Sequence, residues 1–143
     1  MKQSTWQRII LLLILACEGW GGVTGGILLV LAPNGRYMKI PVEIMHGFFP
    51  DFLIPGLILT GMGLLTTAAF IAVFLKNRFD WLLAGFAMYG FIIWFAAEIA
   101  IVREIVWLQV IWGVPVLVGA LMVLPMVPHA HKKVHQTHAL LSC

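Results

Sequence analysis

Two apolar segments, WLLAGFAMYGFIIWFAAEIAI at residues 81–101 and VWLQVIWGVPVLVGALMVLPM at residues 106–126, decide the fold of this chain. Each segment is long enough to cross a hydrocarbon core of about 30 Å, because an α-helix rises about 1.5 Å per residue. Only residues 102–105 separate the two segments, and a connection this short requires adjacent antiparallel helices. The sequence therefore predicts a transmembrane helical hairpin.

The composition of the whole chain is also that of a membrane protein. The 143 residues are 62% hydrophobic and only 10% charged, whereas a soluble domain usually carries about 25% charged residues. Too little polar surface is available to cover a water-soluble core, so the helices must be solvated by lipid. In this setting the formal net charge of +3 reports membrane topology rather than nucleic-acid binding, and we expect no nucleic-acid partner.

Two more apolar runs, at residues 9–32 and 52–75, also have the length of spanning helices. The first run begins like a signal peptide, with a loose lipoprotein cleavage box at Cys17, but its apolar stretch continues far beyond that point. We therefore predict an all-α fold, an integral membrane four-helix bundle with up-down-up-down connections, over residues 1–128. Residues 129–143 form a histidine-rich tail.

The distribution of lysine and arginine predicts how the bundle is oriented. Six basic residues fall on the side of the chain termini and three on the other side: Lys2, Arg8, Lys76, Arg78, Lys132 and Lys133 against Arg36, Lys39 and Arg103. We therefore expect both termini to be cytoplasmic in a multi-pass protein of the cell (inner) membrane.

Glycines in the first span predict a close helix contact. Gly21 and Gly25 form one GxxxG pair, and Gly22 and Gly26 form a second. Small residues at this spacing let another helix backbone approach closely in lipid. The partner is either another helix of this chain or, in a homo-oligomer or larger membrane complex, a helix of another subunit. In the fourth span, Pro115 is expected to produce a kink.

The densest polar chemistry is expected at the outer end of the bundle. Glu98 and Gln109 project from the two helices of the hairpin at similar depth, with Trp94 one turn below Glu98 and Arg103 in the corner. His46 belongs to the long connection at residues 33–51, which we expect to fold over this end with a short interfacial helix at residues 41–49. Apolar walls with a few polar groups predict a site for a lipid or quinone-like molecule. In the competing account, Glu98 pairs with Gln109 or Arg103 and leaves no room for a ligand.

Glu18 is the second carboxyl group within a predicted span, near the middle of the membrane. An intramembrane carboxylate is by default a functional hypothesis, here a proton relay. The alternative is a protonated acid that hydrogen-bonds to a neighbouring helix and holds the bundle in register.

Neither a metal nor a cofactor is predicted. Glu43 and His46 have i, i+3 spacing, and four histidines lie in the tail. We interpret the pair as a solvated face and the tail as a cationic segment near anionic lipid. The sequence has no nucleotide-binding loop, nucleophile elbow or HExxH motif, so the chain is not expected to be an enzyme.

The glycine-rich first span runs into ILLVLAPNG at residues 27–35, and with the four-span plan it loosely resembles small bacterial membrane proteins of the DoxX type. The resemblance implies an accessory subunit of a membrane oxidoreductase complex and assigns no functional residues. We therefore expect a non-enzymatic accessory or structural subunit with a ligand site at its outer end. The alternative is a small proton-coupled transporter that uses Glu18 and Glu98.

Overall fold

The computed structural model describes residues 4–124 and 138–142. Within residues 4–124 it contains four α-helices and no strand, so the predicted all-α class is confirmed. The helices are α1 (Thr5–Leu31), α2 (Leu53–Phe74), α3 (Asp80–Val102) and α4 (Trp107–Val123), and a short 3₁₀ helix lies at Val42–Met45. Most of the predicted tail, residues 129–137 and 143, lies outside the described residues.

Three of the helices, α1, α2 and α3, are long and apolar enough to cross a membrane, which indicates a membrane protein. The fourth, α4, is equally apolar but has 17 residues. The last two residues of the fourth predicted span, 125 and 126, lie outside the part of the chain that the structure describes.

Consecutive helices are antiparallel neighbours, and α4 also contacts α1, so the four helices form a closed ring. Two glycines mark the contacts between neighbouring helices. Gly90 of α3 lies against Met62 of α2, and Gly119 of α4 lies against Met88 of α3. The centre of the ring is a single apolar core whose largest fully buried side chains are Phe91, Leu11, Leu15, Met88, Val73, Val116 and Val123. Large apolar side chains also cover the outside of the bundle, as expected for a surface in contact with lipid.

The first helix begins at Thr5, four residues before the predicted span. Ser4 accepts a hydrogen bond from the Gln7 backbone N–H at 3.2 Å, and the Gln7 side chain accepts one from the Ser4 N–H at 3.1 Å. This reciprocal pair is a capping box, which satisfies two backbone donors at the start of the helix. The polar residues before the apolar run therefore belong to α1.

The closest helix contact is between α1 and α2, where glycines face each other. A Cβ atom at Gly22 would lie 2.9 Å from the Gly63 Cα, and one at Gly56 would lie 3.0 Å from the Gly26 carbonyl oxygen. Thr60, beside them, donates its hydroxyl hydrogen bond to the Gly56 carbonyl of its own helix at 2.7 Å. The backbones thus meet without leaving polar groups unsatisfied.

The other GxxxG pair, Gly21 and Gly25, also makes contacts within the chain. A Cβ at Gly21 would lie 2.7 Å from the ring of Trp112 on α4, and one at Gly25 would lie 3.5 Å from Leu59 on α2. Both GxxxG pairs therefore contact other helices of the same chain. Of the two partners considered for these glycines, the structure contains the helix of the same chain.

The connection between α1 and α2 differs from the expected interfacial helix. Only Val42–Met45 is helical, as a single 3₁₀ turn, because His46 and Gly47 both adopt left-handed backbone conformations. Met45 is buried against the ends of the first two helices. The prediction of a helix over residues 41–49 was therefore wrong in length, and the connection is held instead by its own small apolar cluster.

Candidate ligand-binding site

An open groove of about 360 Å³ lies between α3 and α4. It extends from the corner between the helices, at Ile99 and Ile105, to Ile92 and Leu117 about two to three turns deeper. Gln109 is the only polar residue that lines it; all the other lining residues are apolar. The groove therefore has apolar walls and one polar group, at the end near the corner.

Small residues create the space in the groove. Ala96 on α3 and Gly113 on α4 both line it. A Cβ atom added at Gly113 would meet no other atom within 4 Å. Neither residue has a side chain that reaches the facing helix, so the space between α3 and α4 at this depth is left unfilled.

Beside the polar end of the groove, Gln109 of α4 lies next to two side chains of α3, Glu98 and Trp94. The Glu98 carboxyl group lies close to the side chains of Trp94 and Gln109. Gln109 also accepts a hydrogen bond from the Val106 backbone N–H at 3.1 Å, which satisfies a donor at the start of α4. Gln109 therefore ties the first turn of α4 to α3 and fixes the position of the Glu98 carboxyl group beside the groove.

The structure brings Glu98, Gln109 and Trp94 together, but it places Arg103 and His46 elsewhere at the same end. Arg103 adopts a left-handed conformation that ends α3, and its side chain is exposed, with no ion pair to another described residue. The Nδ1 atom of His46 lies 3.2 Å from the carbonyl oxygen of Ile101. His46 thus attaches the long connection to the end of α3 without contacting the three clustered side chains.

Glu18 lies apart from this cluster, in the middle of α1. Its side chain is 2% exposed, and its Oε1 atom has no hydrogen-bond partner among the described residues. The hydroxyl group of Thr66, also buried in the core, donates to the Met62 carbonyl at 2.8 Å. The hydrogen bond to a neighbouring helix that the structural interpretation of Glu18 requires is therefore not formed in this structure.

A second cleft, of about 510 Å³, lies where the connection between α1 and α2 leaves α1 and returns to α2. Two of its polar side chains, Asn34 and Asp51, form local hydrogen bonds. Asn34 accepts a hydrogen bond from the Arg36 N–H at 3.1 Å, and Asp51 accepts one from the Leu53 N–H at 3.0 Å. These bonds shape the turns of the connection, so we do not assign this cleft a ligand.

No group of three or more histidine, cysteine, aspartate or glutamate side chains within residues 4–124 and 138–142 is arranged to hold a metal ion. Glu43 and His46 are joined instead by a backbone hydrogen bond of 3.0 Å, from the His46 N–H to the Glu43 carbonyl, which closes the 3₁₀ turn. The absence of a metal and of a cofactor stays a prediction, since the tail histidines at 129–135 are outside the described residues.

The sequence predicted an apolar-walled site near Glu98 and Gln109 but did not predict that the space would lie beside Ala96 and Gly113. The sequence did contain an indication of this space, because Ala96 and Gly113 are small residues at similar depth on the two helices of the hairpin. The chain matches no protein-family model, no curated protein and no solved structure. A function for the site must therefore be argued from its geometry.

Proposed function

We propose that this chain is a non-enzymatic, four-span protein of the cell (inner) membrane that binds a lipid- or quinone-like molecule between α3 and α4. The observation that carries the proposal is the apolar groove with Gln109 at its outer end, beside the Glu98 carboxyl group. An isoprenoid or acyl chain would occupy the groove, and its polar head would lie near Gln109. The protein would serve as an accessory or structural subunit of a membrane assembly.

The size and chemistry of the groove favour a small amphipathic ligand. Its volume of about 360 Å³ is near the lower end of the range of roughly 300–1,000 Å³ for small-molecule sites. Apolar walls with few polar groups are typical of such sites. One chain with a compact head group would therefore fit better than a phospholipid with two chains.

Filling the groove tests the proposal directly. Gly113→Leu places a side chain in open space and replaces glycine by a better helix former, so the protein without ligand should fold and melt no lower than the wild type. Ubiquinone-2 or lysophosphatidylcholine, added to the wild type in detergent, should raise the melting temperature, because a ligand that binds only the folded state stabilises it. At a ligand concentration one hundred times the Kd the gain is about 2.7 kcal/mol, and Gly113→Leu should abolish it.

Gly61→Leu is the matched control, because a Cβ at Gly61 of α2 also meets no atom within 4 Å but Gly61 is not part of the groove. This variant should keep the full ligand-induced shift. If neither ligand shifts the wild-type melting temperature, or if both variants lose the shift equally, the groove is not the binding site.

Glu98→Gln separates the ligand site from the competing account, in which the contact between Glu98 and Gln109 only closes the bundle. If the contact between Glu98 and Gln109 is purely structural, the substitution should lower the melting temperature both with and without ligand. If Glu98 is part of the ligand site, the variant should keep its melting temperature without ligand and should lose part of the ligand-induced shift. Equal losses with and without ligand would remove Glu98 from the proposed site.

Assembly with other subunits is tested on the protein in its native membrane. The resemblance to DoxX-type proteins favours an accessory role. Both GxxxG pairs make contacts within the chain, so a partner subunit would use a different surface. Native mass spectrometry after mild extraction should recover a larger complex, and recovery of the monomer alone would contradict the accessory role.

A second candidate function is a small proton-coupled transporter, favoured by the buried and unpartnered Oε1 atom of Glu18. Polar groups in the centre of a membrane bundle often mark the path of an ion or a proton. Proton flux into proteoliposomes should then fall in Glu18→Gln and in Glu98→Gln. Flux that both substitutions leave unchanged would eliminate the transporter.

A further inference from the structure

Three basic side chains gather at the end of the bundle opposite to Gln109. They are Arg8 in the first turns of α1 and Lys76 and Arg78 in the connection from α2 to α3; we call this group the basic turn. The nearest acidic residue in the chain is Asp80, which accepts a hydrogen bond from the Trp81 N–H at 2.6 Å. Among the described residues, this end therefore carries three basic residues and one acidic residue.

The end of α2 holds the Arg8 side chain and the backbone of Lys76 together. The guanidinium group of Arg8 donates to the carbonyl oxygens of Val73 and Phe74, the latter at 3.2 Å. The backbone N–H of Lys76 donates to the same Val73 carbonyl at 3.3 Å. One carbonyl group thus accepts from both basic residues, which brings α1 and the connection to a single point.

The rest of the connection is also ordered. The Asn77 backbone N–H donates to the Ala72 carbonyl at 2.9 Å, and the Asn77 side chain accepts from the Phe79 N–H at 3.2 Å. The guanidinium carbon of Arg78 lies 4.6 Å from the centre of the Phe79 ring, in a cation–π contact. A site whose backbone is already ordered loses less conformational entropy when it binds a ligand.

Exposed apolar side chains surround the basic turn. They come from α1, from the end of α2 and from the connection, and they are Trp6, Phe74, Leu75 and Phe79. Aromatic side chains in this position, next to basic residues at the end of spanning helices, are typical of the boundary between lipid and water. The surroundings of the basic turn therefore suit a ligand that has both an anionic head and apolar chains.

We propose that the basic turn binds the phosphate head group of an anionic phospholipid, with the acyl chains against the surrounding aromatic side chains. Lys76 and Arg78 supply exposed positive charge, and Arg8 holds the site together. The opposite end of the bundle has no excess of basic over acidic side chains among its described residues. Its described residues include three basic and three acidic side chains: Arg36, Lys39 and Arg103 with Glu43, Asp51 and Glu104. This proposal does not depend on a ligand in the groove.

The test compares lipid binding by the purified full chain in detergent micelles, with phosphatidylglycerol and phosphatidylcholine as probes. Binding is measured by native mass spectrometry and by the rise in melting temperature. The wild type should bind phosphatidylglycerol in preference to phosphatidylcholine. Each basic residue near an anionic lipid contributes about fivefold to affinity, so the double variant Lys76→Gln/Arg78→Gln should bind phosphatidylglycerol about 25-fold more weakly.

The opposite end of the bundle provides a closely matched control, Arg36→Gln/Lys39→Gln. Lys39 and Lys76 both adopt left-handed backbone conformations, and Arg36 lies over Tyr37 as Arg78 lies over Phe79. Each double variant therefore replaces one lysine that has a left-handed backbone conformation and one arginine that lies over an aromatic ring. The control should bind phosphatidylglycerol as the wild type does, and an equal loss in both variants would overturn the proposal.

Two measurements on the wild type keep the test independent of how well the variants fold. Raising the salt concentration from about 0.05 M to about 0.5 M should weaken phosphatidylglycerol binding, because salt screens exposed charges. Glycerol 3-phosphate has an anionic phosphate but no acyl chains, and it should cause no shift in melting temperature at the same concentration. Binding of phosphatidylglycerol that is insensitive to salt, or a full shift with glycerol 3-phosphate, would overturn the assignment.

Discussion

Gly63→Ala tests the close contact between α1 and α2 with a single methyl group. The added Cβ atom would overlap the backbone nitrogen of Val23 and lie 2.7 Å from the carbonyl carbon of Gly22. Both are backbone atoms, so the helices must separate. Overpacking costs about 1–3 kcal/mol, and the upper value applies where no side chain can move aside. The higher helix propensity of alanine returns about 1 kcal/mol, which leaves a net loss of about 2 kcal/mol.

Gly61→Ala is the control for this prediction, because it lies on the same helix and its Cβ would meet no atom within 4 Å. It should gain up to about 1 kcal/mol from helix propensity alone. The two variants should therefore differ by about 3 kcal/mol, or on the order of 10 °C in melting temperature. Thermal unfolding in detergent, followed by circular dichroism, measures this difference. Equal melting temperatures would refute the close backbone contact at Gly63.

Two further substitutions test polar groups in α1. Glu18→Leu should raise the melting temperature, since it removes a buried carboxyl oxygen that has no hydrogen-bond partner in the described structure; a fall would mean that Glu18 has a stabilising partner. Arg8→Gln should destabilise the protein by about 1–2 kcal/mol, because the Val73 and Phe74 carbonyls lose a charged donor at the end of α2. Hydrogen exchange at the last turn of α2 should then become faster, whereas Arg36→Gln should leave that turn unchanged.

The helices could be predicted largely from the lengths of the apolar runs. The predicted spans at 52–75 and 81–101 end within one residue of α2 and α3, because charged residues limit each run on both sides: Asp51, Lys76, Asp80 and Arg103. The start of α1 was missed because the apolar pattern begins only at Ile9. The capping box formed by Ser4 and Gln7 was the available signal, and it precedes the apolar run.

The candidate site could be predicted only where local geometry determines it. Glu98 and Gln109 meet because a four-residue connection fixes the depth of both side chains in the hairpin. The position of His46 depends on how a connection of about twenty residues folds, which no pattern in the sequence determines. Arg103 was expected in the cluster, but the left-handed conformation at the end of α3 leaves its side chain exposed. The groove depends on how α3 and α4 pack along their whole length, so composition alone could not give its shape.

The two halves of the ring differ in how closely their helices pack, and this difference supports the proposed position of the ligand site. Glycines bring the backbones of α1 and α2 into direct contact, whereas α3 and α4 leave a groove between them. Pro115 has no N–H to donate to the Ile111 carbonyl, and Gly113 fills no space on the groove side. Segments with fewer contacts open at a lower free energy than the rest of a fold. If the proposed ligand binds, we therefore expect it to enter between α3 and α4 while α1 and α2 remain in contact.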